Sequence, residues 1–313
     1  MSSDIAVTVI GGYLGAGKTT LVNHVLRTAD QRVAVLVNDF GDVDIDAELI
    51  ESSDGDTISL ANGCICCSLV DGLASALVTI KELDPRPERL VIEASGVADP
   101  ATVAAYGHSP GLALDAVVVV VDAETVRRRS TDKYVGDTVV GQLASADIIV
   151  FNKVDLVDGD TAVTTRGWLR GRAPQAVIVD AERAQVPPAV LFGTVPAGVG
   201  TGAGESAQQQ HQHPHLHDQA DELFESWSWS SEDPIERALV EALMAELPDS
   251  VVRAKGILWL TDDDRPTVLQ RVGARWTLRP NTSASAVRPD SRLVFIGMRN
   301  AVDEQWLAHR LTP

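Results

Sequence analysis

Short apolar runs alternate with stretches of helical spacing through the first half of the chain. Ile5–Ile10, Val33–Val37, Arg89–Ile92, Ala116–Val121 and Asp147–Phe151 are nearly continuous apolar segments bounded by polar or glycine-containing turns, the pattern of strands buried on both faces. Ala176–Asp180 is a candidate for one more. Between them, Lys18–Leu26, Val70–Leu83 and Ala101–Ala105 carry helical spacing. Repeated strand–helix–strand order predicts an α/β domain with a mostly parallel sheet covered by helices. The pattern breaks down from Pro187 to about Gln219, where Pro and Gly are frequent and the tract QQQHQHPHLHDQ follows, the composition of a linker. Beyond it the period changes. Glu225, Trp227 and Trp229 alternate with Ser226, Ser228 and Ser230, as in a half-buried strand. Pro234–Leu247 reads as a helix capped by Ser231 or Asp233. Val251–Leu260, Thr267–Leu278 and Arg292–Met298 read as strands, and Ala301–Leu311 as a closing helix. Five of the six tryptophans lie past Asp221. The predicted organisation is an α/β domain over 1–186, a flexible His-rich linker over 187–220 and a smaller α+β domain over 221–313.

Composition narrows the function. The 313 residues carry a formal net charge of −18, which argues against nucleic acid as a partner, because phosphate contacts need clustered Lys and Arg. No apolar run approaches the length needed to span a membrane. The opening MSSDIAVTVIGG has neither a basic n-region nor a cleavage site, so a cytoplasmic location is expected. All three cysteines fall at Cys64, Cys66 and Cys67. They are too few and too crowded for a disulfide framework, and suit metal or redox chemistry in a reducing compartment.

Gly12-Tyr-Leu-Gly15-Ala16-Gly17-Lys18-Thr19 matches G-x-x-x-x-G-K-[ST] between a predicted strand and a predicted helix. Its glycines let backbone N–H groups turn toward phosphate oxygens. Lys18 can neutralise the β and γ phosphates, Thr19 can ligate magnesium, and Thr20 is a further candidate for nucleotide contact. Asn152-Lys153-Val154-Asp155 follows an apolar run and matches the N-K-x-D guanine motif. Asp155 can accept hydrogens from both N1 and the exocyclic amine of guanine, a donor pair that adenine lacks. Glu93 ends a strand and can support the magnesium shell or a catalytic water, and the Gly96 amide can sense the γ phosphate. Asp39, at the end of another strand, is a further carboxylate for magnesium or water.

From Val33 to Ile80 there is no Lys or Arg, and eight carboxylates from Asp39 to Asp56 lead to the cysteines. That run fits a solvated acidic face and a cation-attracting region equally well. Cys64 and Cys66 share one side of an extended segment, while Cys67 points away unless the backbone turns. Thiolates favour zinc, copper(I) or iron–sulfur chemistry. Two or three of them make an incomplete shell, which Asp42, a water, a nucleotide oxygen or a partner could close. His211, His213, His215 and His217 alternate along the linker and can bind zinc, nickel, cobalt or copper. His24 and His108 are expected to be structural.

GGYLGAGKTT, VLVNDFGDVDIDAELI, NGCICC, IEASGVADP and NKVD, in this order, resemble the CobW family of metallochaperone GTPases, relatives of the UreG and HypB nickel-insertion GTPases. The resemblance extends over nearly the whole chain, including the His-rich linker and a CobW-type C-terminal domain. It implies a P-loop fold of the SIMIBI class, hydrolysis of GTP with magnesium, and transfer of a transition metal, zinc or cobalt, to a client metalloprotein recognised by the C-terminal domain. Two departures are visible. Asp39 stands where relatives usually have Glu, and Val37 where some carry Glu as an extra metal ligand. Cobalt delivery in cobalamin synthesis, activation of another metalloenzyme, and zinc-sensitive regulation of a protein complex without metal transfer remain as alternatives.

Overall fold

The computed structural model describes residues 4–38, 58–61, 69–193, 223–281, 290–300 and 304–311. They form two compact units, the first holding residues up to Phe192 together with Val272–Arg275, the second holding the rest.

Seven strands make the sheet of the first unit: β1 (Ile5–Gly11), β2 (Val33–Asn38), β3 (Ile58–Ala61), β4 (Arg89–Ala94), β5 (Leu112–Asp122), β6 (Ile148–Asn152) and β7 (Val177–Ala181). They lie in the order β3-β2-β4-β1-β5-β6-β7, and every neighbouring pair is parallel. All six residues of β4 and all five of β6 are buried. Successive side chains of a strand point to opposite faces, so both faces of the sheet are covered. The covering helices are α1 (Lys18–Thr28), α2 (Leu69–Glu82), α3 (Pro100–Ala104), α4 (Val126–Ser130), α5 (Gly136–Ala144), α6 (Gly159–Arg172) and α7 (Pro188–Phe192). Leu73, Leu77 and Ile80 of α2 and Val139 and Leu143 of α5 share one apolar core with Leu36, Ile92, Val119 and Ile149 of the sheet.

The chain order of the strands fixes where a ligand fits. β2, β3 and β4 lie on one side of β1, and β5, β6 and β7 on the other. The crossovers therefore diverge at β1, and the crevice beyond its carboxyl end is the switch point where open α/β sheets bind ligands. At the opposite end of β4, Arg89 is 4% exposed. Its guanidinium pairs with Asp115 Oδ2 at 2.7 Å, donates to Phe192 O at 3.1 Å and stacks on the Phe192 ring. A buried charge of this kind persists only when paired and hydrogen-bonded; here it locks the start of β4 to β5 and α7.

The second unit has a five-stranded sheet: β8 (Phe224–Ser231), β9 (Val251–Leu258), β10 (Thr267–Val272), β11 (Arg275–Pro280) and β12 (Ser291–Met298), ordered β11-β10-β9-β12-β8. β12 runs antiparallel to both β8 and β9. Trp227, Ala254, Leu293 and Phe295 form its core with Val240, Leu243 and Met244 of α8 (Arg237–Glu246) and Leu307 and Leu311 of α9 (Glu304–Leu311). Trp229, Trp276 and Trp306 pack against the same cluster, which accounts for the concentration of tryptophan in this part of the chain.

Several expectations are revised. The helix expected from Pro234 starts at Arg237. Ile235 instead bridges to Leu260, and Ser231 closes a local turn with Asp233 rather than capping a helix. The segment Thr267–Leu278 is two strands, because Gly273 turns the chain at φ 55°. β3, α4, α5, α6 and α7 were not anticipated; α7 stands where the linker was expected to begin and belongs to the first unit, because Val190, Leu191 and Phe192 are buried. The expected linker and the residues around the cysteines fall largely outside the described residues. No helix among the described residues is long and apolar enough to cross a membrane.

Candidate functional site

The residues singled out in the sequence meet at the carboxyl end of the parallel sheet. β1 ends in Gly11 and leads into the glycine-rich loop. Gly12 takes φ 133°, and a Cβ there would run into the carbonyl oxygen of Val120 on β5. Gly17 takes φ 110° and sits against the Asn152 amide, so a side chain would push the two loops apart. Both positions require glycine. Gly17 is the N-cap of α1 and no side chain caps the first turn, so the helix's opening N–H groups face the crevice. An uncapped helix start behind a glycine loop is an anion site by construction. Lys18 at its head is 8% exposed.

β4 delivers Glu93 beside this loop, in register with Ile10 of β1 and Val37 of β2. Glu93 is buried, and its Oε1 accepts the Thr19 hydroxyl at 3.0 Å. A hydroxyl and a carboxylate held together next to a phosphate cradle are the oxygen set that suits magnesium. Ser95 to Ala98 then form a turn closed by Ala98 N donating to Ser95 O at 3.0 Å, with Asp99 capping α3 through Ala101 N at 2.9 Å. Gly96 lies against the phosphate loop: a Cβ there would come within 3.0 Å of Leu14 N and closer still to the Leu14 side chain.

The far end of the cleft is assembled from β5, β6 and β7. Asn152 is 2% exposed; its Nδ2 donates to Ala16 O at 2.9 Å and its Oδ1 accepts from Ala184 N at 2.7 Å. It ties the phosphate loop, its own loop and the loop after β7 into one piece. Lys153 takes φ 63° and donates to Gly15 O at 2.9 Å and Asp122 Oδ2 at 2.8 Å. Asp122 also accepts from the backbone N–H groups of Glu124 and Thr125. Asn152 and Lys153 are thus engaged inside the protein, whereas Asp155, on a single 3₁₀ turn (Val154–Leu156), is exposed to the cleft.

The cleft measures about 750 Å³ and is lined by Leu14, Gly15, Gly17, Lys18, Thr19, Thr20, Asn152, Lys153, Asp155, Leu156 and Arg183. That is within the usual range for a small-molecule site. The sequence pattern points to Gly12, Gly15, Ala16, Gly17, Lys18, Thr19, Thr20, Glu93, Gly96, Asn152, Lys153 and Asp155 here; Gly15, Gly17, Lys18, Thr19, Thr20, Asn152, Lys153 and Asp155 line the cleft, whereas Glu93 adjoins it through Thr19, Ala16 through Asn152, Gly96 packs against Leu14 and Gly12 against Val120. The pattern missed Asp122, Gln142, Arg183 and Ala184. Arg183 and Ala184 take φ 49° and 56° in the loop after β7, where Arg183 lines the same end as Asp155. An apolar strand followed by a short polar turn was the available signal. Asp39, Asp42, Cys64, Cys66, Cys67, His211, His213, His215 and His217 lie outside the described residues. His24 is buried with Nε2 3.1 Å from Val186 O, as a structural histidine should be.

Parallel sheet, glycine loop and cleft define a P-loop nucleotide-binding protein with the N-K-x-D element of GTPases. The chain belongs to the CobW/HypB/UreG family: the model of its nucleotide-binding domain matches residues 6–180, and the model of the cobalamin synthesis protein cobW C-terminal domain matches residues 224–312. Its relatives include the zinc chaperone CobW of Sinorhizobium sp, 29% identical over 95% of this chain and 93% of that one. The zinc-regulated GTPase metalloprotein activator 1 of Schizosaccharomyces pombe is 32% identical over 52% of this chain and 42% of that one. A crystal structure of a zinc(II)-bound triple mutant of the YjiA GTPase is 25% identical over 99% of this chain and 98% of that one, with a TM-score of 0.47.

Proposed function

We propose that this protein is a GTP-hydrolysing metallochaperone. Its cargo is zinc, taken up at Cys64, Cys66 and Cys67 with Asp42 and delivered to a client metalloprotein recognised by the C-terminal domain. The observation that carries the nucleotide half is the construction of the cleft. A phosphate cradle with Lys18 at one end and Asp155 at the other are joined by Asn152, so a guanine nucleotide has both of its ends met by one rigid frame. The zinc half rests on the soft thiolate cluster and on the names of full-length relatives.

In this reading Lys18 and the opening N–H groups of α1 neutralise and orient the β and γ phosphates. Thr19 and Glu93 would hold magnesium, which when bound supplies further charge compensation to the phosphate oxygens. Asp39 and Glu93 are the carboxylates available to position the attacking water. The switch from Asp39 to Cys67 leads out of β2, the neighbour of the Glu93 strand, and back through β3 on the outer side of β2. The γ phosphate and the thiolates therefore act on one stretch of chain. The His211–His217 tract serves as an auxiliary, weaker metal store. A reducing compartment, the cytoplasm, suits the thiolates.

The test is zinc affinity against a competing chelator with GDP, with a non-hydrolysable GTP analogue and with neither. Coupling must be reciprocal, and typical values of about 1–3 kcal/mol predict roughly 5–150-fold differences. Cys66→Ser should abolish both tight zinc binding and the coupling while leaving the GTP affinity of zinc-free protein unchanged. Equal zinc affinity in all three states would sink the nucleotide-gated carrier and leave the cysteines as a static site.

A further inference from the structure

One buried polar side chain at the site is not accounted for by any nucleotide motif. Gln142 lies on α5, is 2% exposed, and directs its amide at the Ser95–Ala98 turn. Nε2 donates to Gly96 O at 3.1 Å and to Ala98 O at 2.9 Å. A primary amide has two N–H groups, and here both are used on one turn. The other face of that turn is met by the phosphate loop, since Leu14 packs on Gly96. The loop tip is itself held from α4, where Arg129 donates to Leu14 O and stacks over Tyr13. The two loops that border the γ-phosphate end of the cleft are therefore gripped by neighbouring helices, one through Arg129 and the other through Gln142.

We infer that Gln142 is a positioning residue that sets the Gly96–Ala98 turn for the γ phosphate, and so determines how strongly the protein distinguishes GTP from GDP. This rests on the guanine-nucleotide reading of the cleft. The physical argument is directional. In a trans peptide the C=O and N–H point in opposite directions. By holding the Gly96 carbonyl toward α5, Gln142 turns the Val97 N–H away from α5. Val97 is exposed, and its neighbour Gly96 is in contact with the phosphate loop. Without the amide, two carbonyls in a buried setting lose their donors and the turn must rotate to find others. The β-phosphate cradle shares none of these bonds, so GDP should not register the change.

Gln142→Glu tests this at constant side-chain volume, because a carboxylate facing two carbonyls cannot donate to either. The readout is affinity for GDP and for a non-hydrolysable GTP analogue on the full chain. Expected is GDP affinity within about twofold of wild type and analogue affinity down about 30-fold, the size of two lost hydrogen bonds. Gln142→Leu, which cannot repel the carbonyls, should do the same more weakly. Equal loss for GDP and analogue in both variants would make Gln142 a packing residue and overturn the inference. A second measurement does not depend on how the variants fold. In the wild type, amide exchange across Ser95–Ala98 should slow when the analogue replaces GDP, and no difference would also overturn it. If wild type does not prefer guanine over adenine nucleotides, the cleft has been misread and the inference falls with it, a result distinguishable from either of the others.

Discussion

The two ends of the cleft are built on different plans. The phosphate end is made of backbone and largely buried groups: glycines that tolerate no side chain, an uncapped helix start, Lys18 at 8% exposure and a buried Glu93 that holds Thr19 at the cleft wall. The base end presents Asp155, Leu156 and Arg183 to solvent, while buried Asn152 and half-buried Lys153 bond inward to brace the frame. The difference separates catalysis from selection. Charge compensation for phosphates needs preorganised groups in a water-poor pocket, where each is worth more. Reading a base edge needs a carboxylate at the rim with free lone pairs. A change at the phosphate end should affect guanine and adenine nucleotides with the same number of phosphates alike, and a change at the base end should alter which base is preferred.

The largest effect should come from the phosphate end. Lys18→Ala removes the cation at the head of α1 and should lower GTP turnover about 1,000-fold or more. Turnover close to wild type would place catalysis elsewhere. At the base end, Asp155→Asn converts an acceptor pair into an acceptor and a donor. GTP affinity should fall roughly 100-fold, from the loss of two charge-assisted hydrogen bonds. Xanthosine triphosphate, which carries a carbonyl where guanine carries its amine, should recover much of it. Loss of affinity with no recovery would mean that Asp155 supports the loop rather than the base. Equal competition by GTP and ATP in the wild type would remove the guanine assignment itself.

Asn152 is where the comparison can be broken, because it belongs to both ends. Asn152→Ala leaves Ala16 O and Ala184 N buried without their partner, which should cost about 1–3 kcal/mol of stability by thermal or denaturant melts. Nucleotide binding should weaken for GTP and ATP in proportion, since the frame loosens and no base contact is deleted. If Asn152→Ala changes base preference as Asp155→Asn does, the brace and the reader are not separate parts.

How much of this was legible in the sequence follows from the same contrast. The phosphate loop is readable because each glycine answers a local backbone need and the order strand–glycines–helix is contiguous. β1, β4 and β6 were readable because burial on both faces leaves an unbroken apolar run. α6 was not: Gly159–Arg172 has two internal glycines and buries only Thr165 and Leu169, so it shows almost no apolar stripe. Its one local signal was the cap, with Asp158 accepting from Thr161 N at 2.8 Å. β10 and β11 ran together because the apolar–polar alternation continues on both sides of Gly273. Gln142 could not have been found, since a glutamine in a helix looks the same whether it faces water or pins a distant turn. Asp122 and Arg183 contribute through neighbours brought together by the sheet register, Asp122 beside Asn152 and Asn152 beside Ala181, which no spacing along the chain encodes.

Arg183 gives the smallest and most discriminating prediction. It is exposed, sits in the left-handed region at φ 49°, and lines the cleft beside Asp155 and Leu156. A planar guanidinium can lie against the face of a base, and an exposed cation can also attract phosphate at a distance. The two roles differ in what they recognise. If Arg183 belongs to the base end, Arg183→Ala should weaken GDP and GTP by about threefold each and leave tripolyphosphate binding unchanged, with little dependence on salt. If it acts on phosphate charge, tripolyphosphate should weaken as much as the nucleotides, and the deficit should fade as ionic strength rises, because exposed charges are screened. That second pattern would move Arg183 to the phosphate plan despite its place in the cleft. It would also show that the rim takes part in charge compensation, blurring the division between an interior that handles phosphate and a rim that reads the base.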